Sequence, residues 1–269
     1  MKYDLIKNRL GNLIRKSVVL RILFYKLLDL LLLRAWYIKR EIKKSLSELG
    51  PDAIVLDAGS GFGQYSYFLS GISEGWKIKA IDIKSEQTDD CNHFFSKIGK
   101  DRQVLFETAD LTQFVEKEHY DLILCVDVME HIPDDVLVLR NFALSTRENG
   151  ILLISTPSDL GGSDVHDEQD NSFIEEHVRN GYNINDIRDK IRLAGYSDVT
   201  AKYSYGWPGK LSWNISMKFP IILVTTSKLF FILLPVYYVV MYPLAFILNL
   251  FDINLKHQAG TGLIVKAVK

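Results

Sequence analysis

Short apolar runs alternating with helical stretches from residue 50 onward predict an α/β fold built on a mainly parallel sheet. Two observations place a ligand site at its first crossover. One strand runs straight into a glycine loop, Val55-Leu56-Asp57-Ala58-Gly59-Ser60-Gly61-Phe62-Gly63. The next strand ends in an acid, Asp82, nineteen residues past Gly63. With 269 residues the chain buries a full core without disulfides. Its 48% apolar and 24% charged residues exclude disorder and a disulfide-stapled mini-protein.

Taken in order, Ala53–Asp57 reads as the first strand, Gly63–Ile72 as a helix and Lys77–Asp82 as the second strand. Ser85–Ile98 is a helix with Ser85 as N-cap and Gly99 just past its end. Arg102–Glu107 and Tyr120–Val126 are strands, and Pro133–Thr146 is a helix with proline at its first position. Ile151–Thr156 is a strand, and Ile184–Ala194 is a helix closed by Gly195. Asp198–Tyr205 and Gly262–Val268 complete the sheet. Residues 157–180 are irregular and acidic and carry His166 and His177, a pattern expected of a lid.

Charge is unevenly distributed. Residues 1–49 carry a net +8 and the remainder −9, so a basic end sits on an acidic body and an anionic surface is the expected partner. Val18–Leu33 is broken by Arg21, Lys26 and Asp29, and no small-residue cleavage site follows, which argues against a secretory signal. Read as one helix, this region puts Arg15, Lys26, Asp29, Arg40 and Lys44 on one side and leucines on the other. That pattern fits an in-plane interfacial helix or an amphipathic helix packed on the domain. A second apolar run, Leu229–Phe251, has 23 residues and no charge. Pro235 and Pro243 are expected to bend or interrupt it. Cys91 and Cys125 form neither a CxxC nor a zinc pattern, and the expected setting is reducing and cytoplasmic.

The ordered set DAGSGFG, IDI, Ala109-Asp110, Asp127-Val128-Met129-Glu130-His131-Ile132-Pro133 and GILLISTP resembles the class I S-adenosylmethionine-dependent methyltransferases. The resemblance implies a Rossmann-like seven-stranded sheet with N-terminal helices, and an apolar helical insertion before the last strand. It implies S-adenosylmethionine as cofactor. Asp57, Gly59, Gly61, Gly63, Asp82, Asp110 and Asp127 would then line the cofactor site, with the glycines under the methionine part, Asp82 on the ribose and Asp110 beside the adenine. A nicotinamide-dinucleotide enzyme shares the glycine loop and the acid, but DVMEHIP has no part in a dinucleotide site. Asp127, Glu130 and His131 are similar to the E-x-x-E-H run of ubiquinone-pathway O-methyltransferases, associated there with a divalent cation. The other reading of Glu130 and His131 is that they satisfy local backbone groups. Where the acceptor needs a base, His131, His166 and His177 are the candidates.

Three segments are expected: basic helices over 1–49, a methyltransferase domain over 50–205 plus 259–269, and an apolar insertion over 206–258. Because the chain must return to the same sheet, a single membrane crossing is excluded, and two crossings need roughly 40 apolar residues. Lys218 and Lys228 interrupt such a length. A hairpin dipping into one leaflet is expected, with burial in a homodimer as the alternative. Trp207 and Trp213 would rim an acceptor pocket. The expected partners are a lipophilic small-molecule acceptor and the inner face of a membrane, with no nucleic acid. A soluble small-molecule enzyme, and a non-catalytic docking protein on the same scaffold, are the other readings.

Overall fold

The computed structural model describes residues 17–161, 178–227 and 230–269. At its centre lies a seven-stranded sheet of β1 (Ile54–Ala58), β2 (Lys77–Asp82), β3 (Val104–Thr108), β4 (Tyr120–Val126), β5 (Thr146–Pro157), β6 (Asp198–Ser204) and β7 (Gly262–Val268). Their spatial order is β3-β2-β1-β4-β5-β7-β6. The β1–β2, β1–β4, β2–β3 and β4–β5 pairs are parallel, while β7 runs antiparallel to both β5 and β6. This is the Rossmann-like sheet expected from the sequence. The chain reverses direction across the sheet between β1 and β4, so the carboxyl ends of these strands flank the crevice where such sheets bind ligands.

The apolar runs of β1, β4 and β5 are continuous because both faces of the sheet are covered. On one face lie α2 (Leu33–Lys44), the one-turn α3 (Leu46–Leu49), α4 (Gln64–Leu69) and α5 (Ser85–Lys97), with Ile38, Ile42, Trp76 and Phe95 in the core. On the other lie α6 (Asp135–Ser145) and α7 (Ile184–Ala194), which bury Leu139, Phe142 and Ile187. Two helix starts differ from expectation. The Asp134 side chain accepts from the Leu137 N–H, so α6 begins at Asp135 and Pro133 lies outside it. Ser85 makes no cap, because Lys84 occupies that position and donates its N–H to Asp82 Oδ1 at 2.9 Å.

The N-terminal region is two helices and not one. Leu32, in extended backbone, separates α1 (Val18–Leu31) from α2. The break lets α1 bury Arg21 and Tyr25 beside the glycine loop while α2 buries Ala35, Tyr37, Ile38 and Ile42 in the sheet's core. The opposite face of α1 exposes Val19, Leu20, Leu23, Leu27 and Leu30.

Between β6 and β7 the chain forms α8 (Trp207–Trp213), a π-helical turn over Asn214–Lys218, α9 (Phe219–Thr226) and α10 (Phe230–Asn254). Among the described residues α10 is the one helix long and apolar enough to cross a membrane. It buries Ala245, Leu248, Asn249 and Asp252, a single stripe confined to its C-terminal half. It runs through both prolines. The carbonyls they leave without a helical donor belong to Phe231 and Val239, which are 45% and 76% exposed, so both gaps open outward. Asp252 pins the base of α10: its carboxylate accepts from the Tyr37 hydroxyl at 2.7 Å and from the Gly209 N–H at 2.8 Å.

Candidate active site

The glycine loop turns sharply at the end of β1 because Gly59 N–H and Ser60 N–H both donate to the Ile81 carbonyl, at 2.8 and 2.9 Å. Gly59 has φ +79°, and a Cβ there would stand 2.2 Å from Val128 Cγ2, so packing alone demands glycine. Gly61 is different. It has φ +52°, and nothing lies within 4 Å of where its Cβ would be. This open ground is the cradle that a ligand resting on the loop requires. The following helix has only six residues, so the loop's own backbone matters more here than a helix dipole.

Asp82 leaves β2 half-buried and accepts the Gly61 N–H on Oδ2 at 2.9 Å. An ionised carboxylate has about four lone-pair sites, so two backbone bonds leave acceptor capacity for a pair of hydroxyls. The Ala109 N–H donates to the Asp82 carbonyl at 3.1 Å and draws the end of β3 alongside. Asp110 next to it is braced by Thr112, whose N–H and hydroxyl both reach Oδ1 at 2.8 Å. Ile83, 67% exposed, forms an apolar ledge beside Asp82. Asp57 has another place: buried beneath the loop, it accepts from the Ser66 hydroxyl at 2.6 Å. Burial, with the nearby Asp82 charge second, pushes its carboxyl up to about 6.

Two non-glycine residues near the site have left-handed backbone, Asp127 with φ +53° and Tyr205 with φ +53°. Both converge on Arg34 of α2. The Asp127 carboxylate forms an ion pair with the guanidinium, and the Tyr205 hydroxyl accepts from the Arg34 N–H at 2.9 Å. Beside them the Tyr65 hydroxyl is buried with no hydrogen-bond partner among the described residues, as is the Ser60 hydroxyl in the loop. Arg34 was not among the residues the sequence pointed to. The signal available was its position off the polar stripe formed by Lys26, Asp29, Arg40 and Lys44.

Glu130 and His131 lie on the short 3-10 turn Met129–His131 after β4. Glu130 is 1% exposed, and its carboxylate accepts from the Thr156 hydroxyl at 3.2 Å. Burial first, and the Asp127 charge second, push its carboxyl up to about 8. Asp127 is turned to Arg34 and Glu130 to Thr156, and no three His, Cys, Asp or Glu side chains among the described residues gather as a metal site would need. His131 is half-buried at the end of the turn. His166 and His177, with most of the expected lid, lie outside the described residues.

The glycine loop is also tied to α1. Arg21 donates to the Phe62 carbonyl at 3.0 Å, to Asp90 at 2.6 Å and to the Tyr25 hydroxyl at 2.7 Å, and Tyr25 in turn donates to the Phe62 carbonyl. Trp207 on α8 is 71% exposed and Trp213 half-buried, both beyond the end of β6.

A methyltransferase-domain family model matches residues 31–201, well over half of the chain. The chain belongs to this family, as a class I methyltransferase with S-adenosylmethionine as its cofactor. It is 26% identical over 124 residues to a ubiquinone biosynthesis O-methyltransferase of Rickettsia prowazekii, covering 46% of this chain and 47% of that protein. The chain thus spans about half the length of the curated relatives it matches. Two solved structures share the fold. Haemonchus contortus phosphoethanolamine N-methyltransferase 2, in complex with S-adenosyl-L-methionine, aligns with TM-score 0.59 at 16% identity, over 86% of this chain and 52% of that one. An S-adenosylmethionine-dependent methyltransferase from Mesorhizobium loti aligns with TM-score 0.55 at 14% identity, over 86% and 96%. The residues on hand fit the cofactor: an open glycine cradle, an acid with spare acceptor sites, an Arg34–Asp127 pair of opposite charges and two buried hydroxyls without partners among the described residues.

Proposed function

We propose that this protein methylates a lipophilic or lipid-linked acceptor at the cytoplasmic surface of a membrane. The observation that carries the reading is the apolar surface adjoining the site. Twelve large apolar side chains of α10 are exposed, among them Ile232 at 72% and Val239 at 76%, and five more line α1. α10 meets α1 where the Tyr242 hydroxyl donates to the Leu30 carbonyl at 3.0 Å, and meets α2 where Phe246 stacks edge-on against Trp36. Scattered single exposures are ordinary on a protein in water, but a surface of this extent needs a partner. The likeness to ubiquinone biosynthesis O-methyltransferases supports a lipid-like acceptor.

S-Adenosylmethionine supplies a methyl group already activated by its sulfonium. The protein's own residues bind, orient and exclude water. Gly61 leaves room against the loop, where Asp82 would accept from ribose hydroxyls and Asp110 would lie beside the base. Arg34 and Asp127 offer one charge each to an amino acid's carboxylate and ammonium. Asp57 braces the loop through Ser66. Where the acceptor is a hydroxyl, His131, half-buried at the end of the turn, is the candidate base among the described residues.

Incubating purified protein with labelled S-adenosylmethionine and a host lipid extract tests the proposal. Label extracted into organic solvent is expected, and label confined to water-soluble products overturns it.

A further inference from the structure

Where α1, α2 and the base of α10 meet, they border a wide-open cleft of about 640 Å³. Five cations line it: Lys26 from α1, and Lys39, Arg40, Lys43 and Lys44 from α2. Among the described residues Asp29 is the one acid in its wall. Lys39 is committed to Asp29, Lys44 to Glu41 at 3.0 Å, and Arg40 to the Ile253 carbonyl. Lys26 and Lys43 are exposed, and neither has an ion-pair partner among the described residues. The remaining wall is apolar, from Leu30, Trp36 and Ile253. The cleft therefore has a surplus of positive charge on an apolar floor. It opens beside Leu30 and Trp36, the residues through which α1 and α2 touch α10, and so borders the apolar surface described above.

We propose that this cleft is a phosphate-binding site for the headgroup of an anionic lipid, whose acyl chains run onto the exposed faces of α10 and α1. The site is separate from the glycine loop and takes no part in methyl transfer. The inference rests on the membrane reading of the apolar surface, to which it adds a particular headgroup. Two observations carry it together. Lysines presented at a membrane surface gain from its negative potential, and two of those here are uncommitted. The neighbouring helices supply the apolar surface that a soluble anion does not need.

The test is co-sedimentation with phosphatidylcholine vesicles, with and without phosphatidylglycerol, for wild type and for Lys26→Glu/Lys43→Glu. Both substitutions fall on exposed helix positions, and retained calorimetric binding of S-adenosylmethionine checks that the double variant is folded. Wild type is expected to bind phosphatidylglycerol vesicles more tightly than phosphatidylcholine ones, an excess that added salt removes. The double variant is expected to lose about tenfold or more of the affinity for phosphatidylglycerol vesicles and none of that for phosphatidylcholine. Equal affinity of wild type for both vesicles, or an equal loss on both in the variant, overturns the headgroup site and leaves the membrane reading intact. No vesicle binding at all overturns both. In a parallel arm, soluble glycerol phosphate is expected not to displace the protein from vesicles. Displacement at millimolar concentration would assign the cleft to a soluble phosphate and overturn the lipid source.

Discussion

Asp82 holds the Gly61 and Lys84 amides, and in the proposed function it also accepts the ribose, so replacing it would affect both loop and ligand. Charged hydrogen bonds of this kind are worth about 1.5–3 kcal/mol each. Asp82→Ala is expected to lower cofactor affinity at least about tenfold by calorimetry without unfolding the protein, and unchanged affinity would remove Asp82 from the site. Gly61→Val is expected to be worse, because it combines a left-handed φ with a side chain on the cradle. Glu130 gives a prediction in pH. Its folded pKa of about 8 lies above the ordinary carboxyl value of 4.5, so the folded state holds the proton more tightly than the unfolded chain. Its contribution to stability is fully present below about 4.5 and is lost as pH rises toward 8. Glu130→Gln is expected to flatten the urea-midpoint profile across that window, and an unchanged slope would count against a raised Glu130. The sequence made the glycine loop, Asp82 and Asp110 legible because motif spacing encodes them. Arg34, Tyr65 and Tyr205 were illegible because they converge from segments far apart in the chain, and only the tertiary fold brings them together.

At the scale of elements, α1 joins two environments. Its outer stripe is apolar and exposed, and its inner side places Arg21 and Tyr25 on the Phe62 carbonyl. Breaking a buried ion pair by removing one partner typically costs about 3–5 kcal/mol. Arg21→Met is therefore expected to lower the unfolding midpoint and also to weaken cofactor binding, since it frees the loop carbonyl beside Gly61. A variant that loses stability but binds the cofactor as well as wild type would limit Arg21 to packing. Sequence patterning recovered most elements, several to the residue: Lys77–Asp82, Tyr120–Val126, Ile184–Ala194 and Gly262–Val268. It failed at Leu32, because a helix break without glycine or proline leaves no local mark. It also set the start of α6 at Pro133, since proline fits a first turn, while Asp134 is the N-cap and its carboxylate accepts the free Leu137 N–H.

Taken as a whole, the molecule is a Rossmann-like methyltransferase sheet with two apolar attachments on one side: α1 before the sheet, and the α8–α10 insertion before its last strand. The insertion is anchored by Asp252 to α2 and to Gly209, so its base belongs to the body, while residues 230–244 of α10 contribute no buried position. Removing the whole of 206–258 would therefore uncover Tyr37 as well as detach the hairpin. Point substitutions on the outward face are the cleaner probe. Ile232 and Val239 are among the most exposed apolar residues of α10, and an aspartate at each is tolerated in water but costly in hydrocarbon. The most direct measurement is the rate at which labelled methyl enters organic-soluble product from lipid-extract vesicles, for wild type and for Ile232→Asp/Val239→Asp, with S-adenosylmethionine binding measured in parallel. Cofactor affinity is expected at the wild-type level with at least about a tenfold loss of methylation, as each charge opposes insertion by roughly 2.5–3.5 kcal/mol at full depth. Methylation of the lipid extract at the wild-type rate by the doubly charged variant would contradict the membrane reading.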